Sequence, residues 1–226
     1  MSQPMVPKAA LYFLKKLEKN NNREWFTQHK TEFKKHEADL KSFFSAVMQN
    51  LKEHDDIDAM KMFRIYRDVR FSKDKSPYKT HLASSFSRAG ARLRGGYYLH
   101  IKPGESFIAT GFWAPNKEDL FRIRKEFEQD TTEIRNVMNA DPLRQLWGQL
   151  EGEGVKTAPK GFDKEHPNID LIKKKQFIFT RNFSDTEVIS KNFAQEVDRS
   201  FKAIRPYFNL MSDILTTNLN GESILD

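Results

Sequence analysis

The stretch YYLHIKPGESFIATGFW, residues 97–113, decides the fold class of this chain. Its first six residues place apolar and polar side chains alternately, apart from Tyr98, with the two-residue period of a β-strand. Pro103-Gly104 marks a turn, and residues 106–113 follow as a second, aromatic-rich strand. Because so short a connection joins antiparallel neighbours, the stretch predicts a β-hairpin.

Further strand patterns lie on either side of this hairpin. Residues 82–86 alternate in the same way, and so do residues 63–71, where Arg67 is the one exception on the apolar side. The residues from 176 to about 181 are a candidate for one more strand. The sequence therefore predicts a mostly antiparallel central sheet over about residues 62–113, with 176–181 as a candidate addition.

Helical patterns flank the strands on both sides. Apolar residues recur at steps of three and four before about Asp56 and again after Asn116, which is the period of a helix. Asn22 is a candidate N-cap, and Ser184 with Glu187 fits a capping box that opens a last long helix. Helices, then strands, then helices predict an α+β fold, and the length of 226 residues favours one domain over residues 1–226.

Composition limits the function classes. The chain has no cysteine, which excludes disulfides and thiolate metal sites and is typical of the cytoplasm. Neither a signal peptide nor a membrane-spanning stretch is expected, so no membrane partner is predicted. Dinucleotide and P-loop glycine patterns are absent, and the six histidines have no metal-site spacing. We therefore expect no cofactor and no metal.

The positive charge is concentrated in one segment. Residues 61–102 hold eleven basic residues and two acidic ones, a local charge of +9 within a chain of net charge +7, which leaves −2 elsewhere. A basic segment on an otherwise near-neutral chain indicates an anionic partner for that segment. The alternative is a solvated cationic surface without a ligand.

The segment contains a dense cationic motif in residues 64–78. On the predicted strand, Arg64, Tyr66, Asp68 and Arg70 share one face, and successive members are about 6–7 Å apart. Asp68 could therefore orient two guanidiniums around an anion. A small, phosphorylated ligand is the first hypothesis. Its candidate binding residues are Arg64, Arg67, Arg70, Lys75 and Tyr78. The alternative is a structural network in which these arginines pair with carboxylates.

The motif also resembles a known signature. The pattern R-x-x-R-D-x-R-F-x-x-[DN]-K-x-x-Y, met here by residues 64–78, is similar to that of a widespread bacterial family of uncharacterised proteins, known as a domain of unknown function. The resemblance extends to Asn22-x-Glu24-Trp25-Phe26 and to Pro159-Lys160-Gly161-Phe162. It implies membership over nearly the whole chain and brings no assigned activity.

Two further readings stay open. Asp68, Tyr78, His81 and His100 are weak candidates for a proton-transfer group, because the two histidines lie on neighbouring predicted strands and Tyr98 shares the face of His100. Alternatively, the chain is a nucleic-acid or other polyanion-binding module, or a protein-interaction domain. The basic residues Arg88, Arg92 and Arg94 and the aromatic residues Phe86, Tyr97, Tyr98 and Phe107 would form the nucleic-acid surface. The sequence decides neither enzymatic activity nor oligomeric state.

Overall fold

The computed structural model describes residues 4–225 and contains one five-stranded antiparallel sheet. Each strand pairs with the next along the chain, so the sheet is a meander with the order β1-β2-β3-β4-β5. The strands are β1 (Ile57–Met62), β2 (Leu82–Arg88), β3 (Gly96–Ile101), β4 (Ser106–Phe112) and β5 (Phe177–Phe183). The predicted α+β fold with an antiparallel sheet is confirmed, and the candidate strand at 176–181 is β5.

Helices precede β1, separate β4 from β5 and follow β5. They are α1 (Lys8–Lys19), α2 (Arg23–Gln28), α3 (Lys30–Lys52), α4 (Lys117–Gln129), α5 (Thr132–Asn139), α6 (Leu143–Trp147), α7 (Ile169–Ile172), α8 (Asp185–Val188), α9 (Phe193–Ala203) and α10 (Arg205–Thr216). None of the helices within residues 4–225 combines the length and the apolar character needed to cross a membrane.

Two helix caps form at the residues that the sequence predicts. The Asn22 side chain accepts a hydrogen bond from the amide of Trp25, and Ser184 forms a capping box with Glu187. However, α8 has only four residues, and the chain turns again before α9. The prediction that this box opens the last long helix is therefore wrong. Pro206 lies in the first turn of α10, where its missing amide hydrogen costs no intrahelical bond.

Residues 63–71 are not a strand, contrary to the sequence prediction. The first strand, β1, ends at Met62, and residues 63–81 form an irregular segment, the basic loop, between β1 and β2. An isolated bridge between Tyr66 and Tyr78 closes it, with hydrogen bonds from the amide of Arg67 to the carbonyl of Pro77 and from the amide of Lys79 to the carbonyl of Ile65. The alternating apolar and charged residues there belong to a loop that folds back on itself and not to a strand.

One face of the sheet is covered by helices. Tyr97 on β3 packs against Phe201 of α9 and Phe208 of α10, with ring centroids 4.8 and 5.1 Å apart. Phe179 on β5 packs in the same way against Tyr207, and Phe183 against Phe193. These residues belong to a hydrophobic core that joins helices from both ends of the chain to the sheet.

A buried ion pair lies between this core and the end of α3. Asp55 accepts hydrogen bonds from Nε of Arg88, at 2.8 Å, and from the hydroxyl of Tyr97, at 2.5 Å, while Nη1 of Arg205 lies 3.1 Å from its second oxygen. Both Asp55 and Arg88 have side chains that are 0% exposed. The network therefore connects α3 to β2, β3 and α10 through a single carboxylate.

The opposite face of the sheet, which we call the open face, is only partly covered. Its side chains come from alternate positions of the strands and include Lys61, Ser85, Tyr98, His100, Phe107, Ala109 and Ile178. Tyr98, Phe107 and Ala109 are half-buried, and Trp113, just after β4, is 67% exposed. Aromatic groups on this face are therefore accessible to a ligand.

Candidate functional site

Tyr78 anchors the basic loop to the N-terminal helices. Its ring stacks on Phe26 of α2 with centroids 3.9 Å apart, and its backbone exchanges two hydrogen bonds with the side chain of Asn21, at 2.9 and 3.1 Å. Burial, the largest cause, raises the pKa of the Tyr78 hydroxyl. The loop is therefore positioned by aromatic stacking and a side-chain amide.

Arg67 and Asp74 form an ion pair inside the basic loop. Asp74 also accepts hydrogen bonds from the hydroxyl of Ser76, at 2.6 Å, and from its amide, at 2.9 Å. The Ser76 hydrogen bonds, followed by the bond from Arg67, hold the pKa of Asp74 well below its usual range. The carboxylate is thus ionised at neutral pH and fixes the Arg67 guanidinium.

The other basic residues of the motif lie on the surface of the loop. Arg70 donates to both oxygens of Asp68, at 3.0 and 2.7 Å, which lowers the pKa of that carboxyl. Lys75 donates to the carbonyl of Val69 at 3.0 Å. Arg64 is exposed, with no carboxylate within ion-pair distance among residues 4–225. The Asp68 carboxylate is therefore paired with Arg70. Asp68 lines neither of the two cavities beside His81 and His100.

Two cavities share His81 in their linings, at the end of the sheet where β2 begins. The first, of about 340 Å³, is lined by Arg67, Asp74, Tyr78, Lys79, His81 and Glu18 among others. The second, of about 590 Å³, is lined by His81, His100, Lys102, Glu105, Phe107 and Asn182 among others. Because they share His81, we treat them as one groove, the histidine groove. Arg67 and Tyr78 line it, whereas Arg64, Arg70 and Lys75 do not.

The two histidines are in ring contact. The His81 and His100 centroids are 4.0 Å apart, and His100 stacks on Phe107 at 4.6 Å. The Tyr98 hydroxyl lies 3.0 Å from Nδ1 of His100. The position of His100 beside His81 follows from the antiparallel pairing of β2 and β3, because His100 lies opposite Ala83, two residues after His81.

Both imidazoles are neutral at physiological pH. Burial first, and then the charges of Lys79 and Lys102, lower the pKa of His81 to about 4. Burial, His81 and the same two lysines lower the pKa of His100 to about 3. Burial and the neighbouring positive charges therefore both oppose protonation of the histidines, and a bound anion would reduce the second of these effects.

The low pKa values of the two histidines predict that the free energy of unfolding begins to decrease already as the pH falls below about 6.5. Below about pH 6.5 the histidines of the unfolded chain take up protons, while the folded chain resists them until its pKa values of about 4 and 3 are reached. Stability is therefore fully present above about pH 6.5 and is lost as pH falls toward about 4.

The measurement is urea unfolding at about pH 7 and about pH 5, a window above most carboxyl titrations. Replacing His100 with phenylalanine keeps a ring against Phe107 and removes one titrating group. The variant is expected to lose less stability between the two pH values than the wild type does. Equal losses in both proteins would contradict the assignment.

Most of the residues proposed for a nucleic-acid surface lie elsewhere. Arg88 is buried against Asp55, and Arg94 pairs with Asp119. Phe86 and Tyr97 belong to the buried core. Arg92 is exposed on the β2–β3 connection, so only Tyr98 and Phe107 of that set lie on the open face.

Lys79, Lys102 and Trp113 were not among the candidate site residues predicted from the sequence. Lys79 and Lys102 enclose the histidines, and Trp113 stands beside Phe107 on the open face. The alternation in residues 97–113 could have indicated Lys102, because Lys102 falls on the same face of the strand as His100. Among the residues described, no three His, Asp or Glu side chains are grouped so that they could hold a metal ion.

Fold and groove together define a two-layer α+β protein whose antiparallel meander keeps one face open. The chain belongs to the family of conserved hypothetical proteins designated DUF2461, whose family model matches residues 9–209. The resemblance to a family of uncharacterised proteins is thereby confirmed. No curated protein and no solved structure matches the chain significantly.

Proposed function

We propose that the chain binds a small phosphorylated ligand in the histidine groove. The observation that carries this proposal is the state of Lys79. Its side chain is half-buried at the cavity, yet its amine has no hydrogen-bond or ion-pair partner within residues 4–225. The nitrogen lies over the Phe63 ring, 5.5 Å from the ring centroid. An anionic ligand in the cavity would supply the partner that the Lys79 amine lacks.

The electrostatics of the groove support an anion near His81. Burial, followed by the charge of Arg64, lowers the pKa of Lys79, so positive charge is crowded there. Asp74 and Glu105 line the groove, and each is already paired, with Arg67 and Lys102. Glu18 lines the first cavity, so the anion is expected nearer His81 than α1.

The proposal keeps part of the ligand set suggested by the motif. Arg67 and Tyr78 line the groove, so Arg67 can donate to the ligand alongside its bond to Asp74. Arg64, Arg70 and Lys75 would contribute only through their charge at longer range. His81 and His100, being neutral, each carry one N–H that can donate a hydrogen bond to the ligand.

The test compares two lysines over the same ring. Lys61 and Lys79 both lie over Phe63, with their nitrogens 5.7 and 5.5 Å from the centroid, but only Lys79 lines the groove. We expect ribose 5-phosphate and inorganic pyrophosphate to bind the wild type and to bind Lys79→Gln about tenfold more weakly, as for one lost charged hydrogen bond. Isothermal titration calorimetry at constant ionic strength measures both.

Lys61→Gln is the matched control, because it removes the same charge from the same ring and leaves the groove intact. Its dissociation constants are expected to stay within about twofold of the wild-type values. Equal weakening by both substitutions would mean non-specific attraction to the basic surface. That result, or the absence of binding to the wild type, overturns the proposal.

A further inference from the structure

A third cavity continues the histidine groove along the open face. This aromatic cavity, of about 490 Å³, is lined by Phe63, Tyr98, Phe107, Ala109, Gly111 and Trp113 among others. Phe107 lines both the aromatic cavity and the histidine groove. The two sites are therefore neighbours that share the Phe107 ring in their linings.

The lining of the aromatic cavity suits a flat ring. Phe63 meets Tyr98 edge-on, with centroids 6.0 Å apart, and Tyr98 lies 5.7 Å from Phe107. Between these rings and the exposed Trp113, the β4 positions on this face are Ala109 and Gly111. Small side chains flanked by aromatic rings leave a slot in which a planar group can stack.

The spacing of the two sites matches one molecule with a charged end and a planar end. Phe107 and Ala109 are successive positions on one face of β4, about 6.8 Å apart. Lys102 reaches the groove on one side of Phe107, while Ala109 and Trp113 lie on the other. A phosphate at the lysines and a ring above Ala109 are thus within reach of a single nucleotide.

We propose that the phosphorylated ligand is a nucleoside phosphate whose base stacks in the aromatic cavity while its phosphate lies in the histidine groove. This inference rests on the proposed function for its phosphate half only. The lining of the two sites complements a nucleotide: Lys79 and Lys102 line the groove that would hold the phosphate, and no ionised group among the described residues lines the aromatic cavity.

The experiment compares AMP, ribose 5-phosphate, adenosine and hexyl phosphate by calorimetry, with tryptophan fluorescence recorded alongside. Stacking of one base is expected to make AMP about tenfold tighter than ribose 5-phosphate. Hexyl phosphate has an apolar tail without a ring and is expected to bind like ribose 5-phosphate. AMP is also expected to quench the fluorescence of the exposed Trp113.

Two exposed aromatic residues provide the matched variants. Trp113→Ala is expected to weaken AMP at least fivefold and to leave ribose 5-phosphate unchanged. Phe121→Ala removes a ring that is 54% exposed and lies outside the aromatic cavity, and it is expected to change neither ligand. A thymidine octanucleotide, compared with thymidine monophosphate, distinguishes a strand from a free nucleotide by its steeper loss of affinity with salt.

The outcomes separate the two proposals. If AMP, ribose 5-phosphate and hexyl phosphate bind equally and Lys79→Gln weakens all three, the base site is overturned and phosphate binding stands. If adenosine binds as tightly as AMP and Lys79→Gln changes nothing, the phosphate site is overturned and the base site stands. If no compound binds, both are overturned.

Discussion

Replacing Asp55 with alanine is expected to lower the free energy of unfolding by about 3–5 kcal/mol, because it leaves a buried arginine without its carboxylate. Both side chains of the Asp55–Arg88 pair are 0% exposed, and the same carboxylate also serves Tyr97 and Arg205. Burial, with the hydrogen bond to Asp55, raises the pKa of Tyr97, so its hydroxyl stays protonated and donates. The substitution thus removes the common partner of Arg88, Tyr97 and Arg205. Urea unfolding followed by circular dichroism measures the loss.

A double substitution separates the ion pair from its packing. Arg88→Met combined with Asp55→Ala removes both charges and keeps an apolar chain against Phe208, over which the Arg88 guanidinium now lies at 5.0 Å. The double variant is expected to be more stable than Asp55→Ala alone, since the fully buried Arg88 charge is removed together with its partner. Glu37→Ala, at a surface pair with Lys34, serves as the control and is expected to cost less than about 1 kcal/mol. An Asp55→Ala loss as small as this control would contradict the account.

Replacing Gly111 with alanine is expected to cost about 2–4 kcal/mol, the combined effect of backbone strain and a steric clash. Gly111 has φ +115°, and a Cβ atom there would press on the carbonyl oxygen of Phe177 and lie 3.0 Å from Cα of Ile178. The Phe177 carbonyl accepts a hydrogen bond from the buried hydroxyl of Tyr207, so it cannot move away without cost. Thermal unfolding and urea unfolding both report the change.

Gly104→Ala is the matched control for this prediction. Gly104 also has a positive φ, +76°, but a Cβ atom there would meet nothing within 4 Å. Its substitution is expected to cost about 1–2 kcal/mol from strain alone. The difference between the two variants measures the close approach of β4 and β5 beside the aromatic cavity. Similar losses of unfolding free energy in both variants would show that backbone strain, and not the close approach of the strands, explains why position 111 requires glycine.

The strand pairing around the site could be predicted from the sequence. Alternation in residues 82–86 and 97–101 predicts two neighbouring strands, and this brings His81, Tyr98 and His100 to one face. Their contacts then follow from the register of an antiparallel pair. Local pattern was sufficient here because the interacting residues lie on strands joined by a short connection.

The path of the basic loop could not be predicted in the same way. Residues 63–71 alternate like a strand, but the contacts that fix them are a single bridge to Tyr78 and the stack of Tyr78 on Phe26. Those contacts connect the loop to a helix far away in sequence, and no local period indicates them. The actual first strand, β1, was not recognised because its exposed residues Asp58 and Lys61 weaken the apolar pattern.

The two edges of the meander differ, and this affects how the protein can associate with others. The outer edge of β1 carries the exposed charges of Asp58 and Lys61, which disfavour pairing with another chain. Along the outer edge of β5, Glu151 exchanges backbone hydrogen bonds with Ile178, at 2.8 and 3.4 Å, so part of that edge is already occupied. Addition of a foreign strand is therefore disfavoured on both sides of the sheet.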